Sequence, residues 1–283
     1  MLDIKDYHRP KTVAEAIALL GPGKTVIAGG TDVMVNPRYS AGVAELVDIT
    51  GLGLAYIRAV GGWINLGAAT TMHDLEYSPL LAKLAGGILA KAAGSCGSPN
   101  IRNVATLGGN VCSALPSGDT LTTLLTLDAV VDIAGPKGQR ELPLAAFFVG
   151  PARNALDHEL VVEIRFPEPP PNTGACFYKL GRTEEDISIV NVAALLVLNE
   201  HGRVEKARIA AGAVAPVPLR ALAAEAILTG EIPDEDTLRE AARLTMEAVS
   251  PISDQRATAE YRRKTTRVCA LRALRQAAGL KPF

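Results

Sequence analysis

The chain has 283 residues, of which 48% are hydrophobic and 21% charged, with a formal net charge of −1. This composition suits a globular protein of one large or two medium domains and gives no reason to expect nucleic acid as a general partner. No apolar run approaches the roughly 18–20 residues of a membrane span, and the charged N-terminus MLDIKDYHRPKT reads as neither signal nor transit peptide, so a cytoplasmic protein is expected.

In chain order, Asp6 onward reads as a loop leading into an amphipathic helix that ends at Leu20. Thr12 is its N-cap candidate, and Val13, Ala16, Ile17 and Leu20 share a face. Gly21-Pro22-Gly23 stops it, and Lys24–Ala28 is a short β-branched strand running into Gly29-Gly30-Thr31-Asp32. A helical turn carrying Val33 and Met34 follows, limited by Pro37. Strands are expected at Glu45–Ile49, Leu54–Val60 and Trp63–Ala68, the last two joined through Gly61-Gly62. His73 and Asp74 begin a helical stretch, and Leu80–Ala93 reads as one Ala/Leu helix. Gly94–Asp119 is dense in turn formers, Thr120–Leu127 is helical or extended, and Ala129–Ala134 is a strand before the turn at Pro136-Lys137-Gly138.

Beyond Gly150-Pro151 the pattern changes. Strands are expected at Glu159–Phe166, Ala175–Lys179, Val190–Leu198 and Glu205–Ala211, with the extended PEPPP (Pro167–Pro171) between the first two. Helices follow at Leu219–Leu228, Thr237–Ala248 and Ala257–Ala278. Strands followed by helices imply α+β, and the proline run suggests a boundary near Gly174 that separates domains 1–173 and 174–283.

Residues Pro251 to Phe283 carry eight Lys/Arg against two Asp/Glu. That basic helix is read as a solvated face, an internal contact with the acidic body, or a docking surface. The four cysteines, Cys96, Cys112, Cys176 and Cys269, form no CxxC pair and read as buried, reduced thiols, so metal chemistry would belong to another polypeptide.

Two glycine pairs carry the chemistry. In Val26-Ile27-Ala28-Gly29-Gly30-Thr31-Asp32, glycines allow positive φ and close approach, successive amides can form an anion nest, and a helix start adds donors. Such a turn suits a diphosphate or is an ordinary strand–turn; it is neither a Walker loop nor a GxGxxG fingerprint. Asp32 fits a helix N-cap whose carboxylate points away from the ligand. The second loop runs from Asn100 through Arg102, Thr106, Gly108, Gly109 and Asn110 to Ser113, Ser117 and Asp119. Thr106 and Asn110 offer hydroxyl and amide groups, and Arg102 could neutralise phosphate. Asp119 is either an acceptor for ligand hydroxyls or the N-cap of the following helix. One large ligand with a central diphosphate would need both loops.

IAGGTDVMV and NIRNVATLGGNVCSALPSGDT, with FYKLGRTEEDISIVNVA and SPISDQRATAEYRRKTTRVCALRAL, occur in this order and span nearly the whole chain. They resemble the FAD-binding subunit of the xanthine dehydrogenase and carbon monoxide dehydrogenase family, the molybdenum hydroxylases. The resemblance implies a two-subdomain FAD-binding domain of the vanillyl-alcohol-oxidase type, followed by a C-terminal domain of sheet plus helices. It implies FAD in this chain, with Ala28 to Asp32 and Thr106 to Asn110 around the diphosphate and Asp119 near the ribityl region. Lys179 and Val161 should lie near the flavin ring, and Arg182–Asp186 should govern access to one flavin face. With Ile27, Val33 and Met34 these form the expected binding set; Lys179 also has a plain reading as a surface strand lysine.

The resemblance further implies partner chains carrying [2Fe–2S] clusters and molybdopterin, assembled as a dimer of heterotrimers, with NAD, a quinone or oxygen as acceptor. The cysteine-bearing insertion of 4-hydroxybenzoyl-CoA reductases is not visible in this sequence. Two other functions stay open. One is a free-standing FAD-dependent oxidoreductase acting on its own substrate, for which no distinctive base stands out. The other is a non-redox assembly protein with a vestigial flavin site, against which the intact glycine loops weigh.

Overall fold

A computed structural model describes residues 4–35 and 45–281. The first sheet is parallel, with β1 (Asp6–His8) and β2 (Lys24–Ile27) flanking β3 (Glu45–Asp48). Helix α1 (Val13–Leu19) starts where its sequence predicts, with the Thr12 hydroxyl accepting from the Glu15 amide at 3.1 Å. The surprise is β1, expected as loop. Its three residues lack β-branching, and only the register Asp6↔Glu45 to His8↔Val47 makes them a strand. Pro37 lies outside the described residues.

The second sheet is antiparallel, in the order β4-β5-β10-β6-β7. Its hairpin of β4 (Ile57–Val60) and β5 (Trp63–Gly67) turns on Gly61 and Gly62, both at positive φ as a two-residue primed turn requires. Between β5 and β6 the chain forms α2 (Met72–Glu76), α3 (Pro79–Lys83), α4 (Ile88–Gly94), α5 (Pro99–Arg102), α6 (Leu107–Ser113) and α7 (Asp119–Thr126). Two expectations fail here. Leu80–Ala93 is not one helix, because Ala85, Gly86 and Gly87 take φ of 46°, 64° and 74°, which no right-handed helix accommodates. Nor is Gly94–Asp119 mainly loop: Ser98 and Thr106 are N-caps of α5 and α6. The hydroxyls that favour turns also start helices.

Next come β6 (Val130–Gly135), β7 (Gly138–Pro143), α8 (Leu144–Phe147), the small ribbon of β8 (Phe148–Gly150) and β9 (Arg153–Asn154), and β10 (Leu160–Pro167). Strand β7 is polar and sits at the sheet edge, so no hydrophobic alternation announces it.

The third sheet is antiparallel, β11 (Thr173–Leu180), β12 (Val190–Leu198), β13 (Val204–Gly212) and β14 (Leu219–Arg220), followed by α9 (Leu222–Leu228), α10 (Glu235–Glu247) and α11 (Ala259–Ala277). Leu219 and Arg220, expected as helix, instead pair with Ala211 and Ala210. Strand β12 is buried on both faces. Val190, Val192, Ala194 and Leu196 pack with residues of α10 and α11, while Ala193, Leu195 and Val197 join the core of α4, α7 and the second sheet. In α7, Leu121 and Leu124 are fully buried, each contributing about 1.5–3 kcal/mol of hydrophobic stabilisation.

The basic α11 turns part of its charge inward. Buried Arg262 donates to the carbonyls of Ile189 (2.7 Å) and Ala213 (3.0 Å) and pairs with Asp254, while Arg275 pairs with Glu235. Among the described residues, no helix is long and apolar enough to cross a membrane.

Candidate cofactor site

A cleft of about 400 Å³ lies where the end of β2, the start of α6 and the bulged strand β10 converge. Side chains of a strand alternate, so Val26 and Ala28 face this cleft while Ile27 turns beneath Gly30. Gly29, Gly30, Thr31, Asp32 and Val33 continue along its rim. The expected helix after Asp32 is only a turn, closed by the Met34 amide donating to the Gly30 carbonyl at 3.0 Å. Met34 is 61% exposed and, like Ile27, lies outside the lining.

Among the described residues, the amides of Gly29, Gly30 and Thr31 donate to no protein acceptor. Three consecutive amides beside a positive-φ glycine make a donor-rich concavity for an anion. Gly29 is required for a second reason: a Cβ there would overlap the carbonyl oxygen of Val104, just before α6. The two glycine motifs therefore touch each other.

The second motif works differently from the first. Its amides are engaged internally: Gly108 donates to Ala68 O (2.8 Å), Gly109 to Thr106 Oγ1 (3.2 Å) and Asn110 to Thr106 O (3.0 Å). Gly108 is small because a Cβ would stand 2.6 Å from the Ala68 carbonyl oxygen. Thr106, Gly108, Gly109 and Asn110 all line the cleft, but only through side-chain groups and surface, not as an amide nest. Thr106 keeps its hydroxyl proton, and Asn110, whose Oδ1 accepts from Thr120 at 2.6 Å, keeps its amide nitrogen as donor.

Val161 is buried and also lines the cleft. The register of β10 on β6 shifts between Val161 and Glu163, and the Val162 carbonyl accepts instead from Ala68 at 3.0 Å. A bulge re-aims side chains in this way.

No lysine, arginine or histidine lines the cleft among the described residues. Arg102, expected near phosphate, is bound to Glu76 at 2.8 Å and to the Gly97 carbonyl at 2.6 Å. The cleft's inner carboxylates are held by the protein. Asp32 accepts from the Ser113 hydroxyl, so it ties the first loop to the end of α6 rather than capping a helix, and Glu159 pairs with Arg140 at 2.6 Å.

Asp119 occupies the first turn of α7, with Gly118 at the cap position. It accepts from Lys179 Nζ (2.8 Å) and from the Ser188 hydroxyl (2.5 Å). Burial pushes the Asp119 carboxyl up, while the Lys179 ammonium and the Ser188 hydroxyl pull it back. Lys179 is not the surface lysine of the plain reading: its side chain is 10% exposed and it also donates to Ser95 O at 2.7 Å. It does not line the main cleft but a neighbouring one, which meets the first at Gly97 and Glu185.

Val26, Leu160, Cys96 and Cys112 also line the cleft, and Ser188 reaches Asp119, none of them singled out by the sequence as site residues. Strand alternation would have preferred Val26 to Ile27. Ser188 has no local signal, since only the fold brings it to Asp119.

Residues 2–169 match the FAD binding domain in molybdopterin dehydrogenase, and residues 175–277 match the CO dehydrogenase flavoprotein C-terminal domain. The chain belongs to the family of FAD-binding subunits of the molybdenum hydroxylases. The xanthine dehydrogenase FAD-binding subunit of Escherichia coli O157:H7 is 35% identical over 93% of this chain and 92% of its own length. The carbon monoxide dehydrogenase medium chain of Afipia carboxidovorans is 34% identical over 96% of each. A crystal structure of the Cu,Mo-CO dehydrogenase superposes with a TM-score of 0.94 at 33% identity, covering 99% of both chains. The α+β, two-part architecture expected from the sequence is thus that of the molybdenum-hydroxylase flavoproteins, and the chain is an oxidoreductase subunit with an FAD-binding domain. Among the described residues, a largely apolar cleft with free backbone amides and no lysine, arginine or histidine in its lining fits such a dinucleotide.

Proposed function

We propose that FAD lies along this cleft with its diphosphate at the amides of Gly29, Gly30 and Thr31. Thr106 and Asn110 hold the opposite side, and Val161 packs against the ring end. Asp32 acts indirectly, fixing the first loop to α6 through Ser113. The boundary between FAD-binding and C-terminal domains is placed near Gly174, giving 1–173 and 174–283.

When bound, FAD supplies two-electron and one-electron exchange, linking [2Fe–2S] clusters of a partner chain to NAD, a quinone or oxygen. The protein supplies positioning and a dry apolar wall. The complex is expected to be cytoplasmic and to contain an iron–sulfur and a molybdopterin subunit, paired as a dimer of heterotrimers. The observation that carries this reading is the row of three amides that, among the described residues, have no protein acceptor and line the cleft. A free-standing enzyme would need a buried base at the flavin, whereas Asp32, Asp119 and Glu159 are each held by protein donors, Asp186 pairs with Arg182 and Glu185 is exposed.

The test is the absorbance spectrum of the purified chain, with chromatography of the released flavin. One FAD per chain, and iron and molybdenum in the native complex, are expected. A protein that is colourless both alone and in its complex, and that cannot be reconstituted with FAD, would refute the reading.

A further inference from the structure

The β11–β12 hairpin connection, residues 181–188, is fastened at both ends to one carboxylate. Lys179, two residues before Gly181, donates to Asp119 Oδ2 at 2.8 Å, and Ser188, at the far end, donates to Asp119 Oδ1 at 2.5 Å. All three groups are nearly buried: Asp119 is 6% and Ser188 1% exposed, and the Lys179 side chain is 10% exposed. Between these fastenings, Glu185, Asp186 and Ile187 line the cofactor cleft, and Ile187 is 51% exposed. Asp119 itself belongs to α7 and lines the same cleft. A carboxylate accepting two charge-assisted or short hydrogen bonds in a dry setting has a fixed geometry.

We propose that Asp119 is a positioning residue that clamps the 181–188 connection against the cleft it lines, and so sets how far a bound flavin is exposed. Each Asp119 oxygen keeps a second lone pair, so the clamp is compatible with the ligand-hydroxyl role expected from the family resemblance. The inference rests on the FAD reading only for what the connection covers; the clamp itself is a contact within the protein.

The test is limited trypsin digestion, following cleavage after Arg182 (63% exposed) by fragment mass, in the chain with and without FAD. Cleavage there follows the population of the released connection when opening is fast. Ser188→Ala removes one fastening and touches neither the lining nor the ion pair. It should accelerate cleavage after Arg182 by about ten-fold, the effect of losing one hydrogen bond to a charged group. Asp119→Asn should accelerate it further. Iodide quenching of bound flavin should rise in the Ser188→Ala protein. Should Asp119→Asn fail to fold, Ser188→Ala decides alone. Wild-type cleavage rates in Ser188→Ala would overturn the clamp whether or not FAD binds. Absence of flavin with accelerated cleavage would support the clamp and refute the cofactor reading instead.

Discussion

Gly29 sits directly against the main-chain carbonyl of Val104, leaving no room for a β-carbon between the first glycine loop and the segment entering α6. Because the obstacle is backbone, relief requires moving one of the two loops. Gly29→Ala is therefore expected to cost about 1–3 kcal/mol and to lower flavin content together with Tm. Thermal melts and flavin-to-protein absorbance ratios check this; unchanged values for both would exclude the close approach.

The neighbouring glycine fails for another reason. Gly30 has φ of +70°, and a β-carbon would meet chiefly the flexible Ile27 side chain. Gly30→Ala should cost about 1–2 kcal/mol through left-handed backbone strain. Gly30→Asn, which tolerates that conformation better, should recover part of the loss in the same melts.

Asp128, at the end of α7 with φ of 53°, binds Lys206 (2.8 Å), Arg208 (2.9 Å) and Arg220 (2.9 Å) of the third sheet. Asp128→Asn keeps the shape and removes the charge that three cations share. A loss of about 2–3 kcal/mol is expected, at the low end for a broken ion pair because the node is partly solvated. Urea unfolding measures it, and a change below the experimental scatter would mean the node is electrostatically silent.

Asp254 gives a pH signature. Burial alone would raise its carboxyl, but the amides of Arg256 and Ala257 and the Arg262 guanidinium outweigh that and bring it down to about 2. A carboxyl depressed in the folded state stabilises above its unfolded value of about 3.9, and the benefit disappears as pH falls through about 2. The stability gap between wild type and Asp254→Asn should be full at pH 6, shrink below pH 4 and vanish near pH 2. A gap independent of pH would contradict the ion pair with Arg262.

Cys96 and Cys112 line the cleft, yet burial pushes both thiols up to about 12. Against an unfolded thiol near 8.5, the thiolate fraction at neutral pH falls about 10³-fold. Iodoacetamide should label these positions in the folded chain about that much more slowly than in urea. Rapid labelling of either would show an activated thiol that the geometry does not account for.

Local chemistry made much of the protein legible in its sequence. Thr12 announced the start of α1, Gly61-Gly62 the β4–β5 turn, and the apolar run Val190–Leu198 a strand. The glycine motifs located the cleft because small residues and positive φ are encoded at single positions. Tertiary structure alone decided the rest. It made a strand of Asp6–His8 through pairing with β3, and kept β7 as a polar edge. It broke the expected Leu80–Ala93 helix at Ala85-Gly86-Gly87 and turned the second glycine pair into the first turn of α6, with its amides closed on Ala68 and Thr106. It also chose Val26 over Ile27, and set Lys179 and Ser188 on the two oxygens of Asp119. Capping, turns and strand propensity act over a few residues and can be read from them. Sheet pairing, close backbone approach and the neutralisation of a buried charge depend on groups many residues apart, which only the folded chain brings into contact.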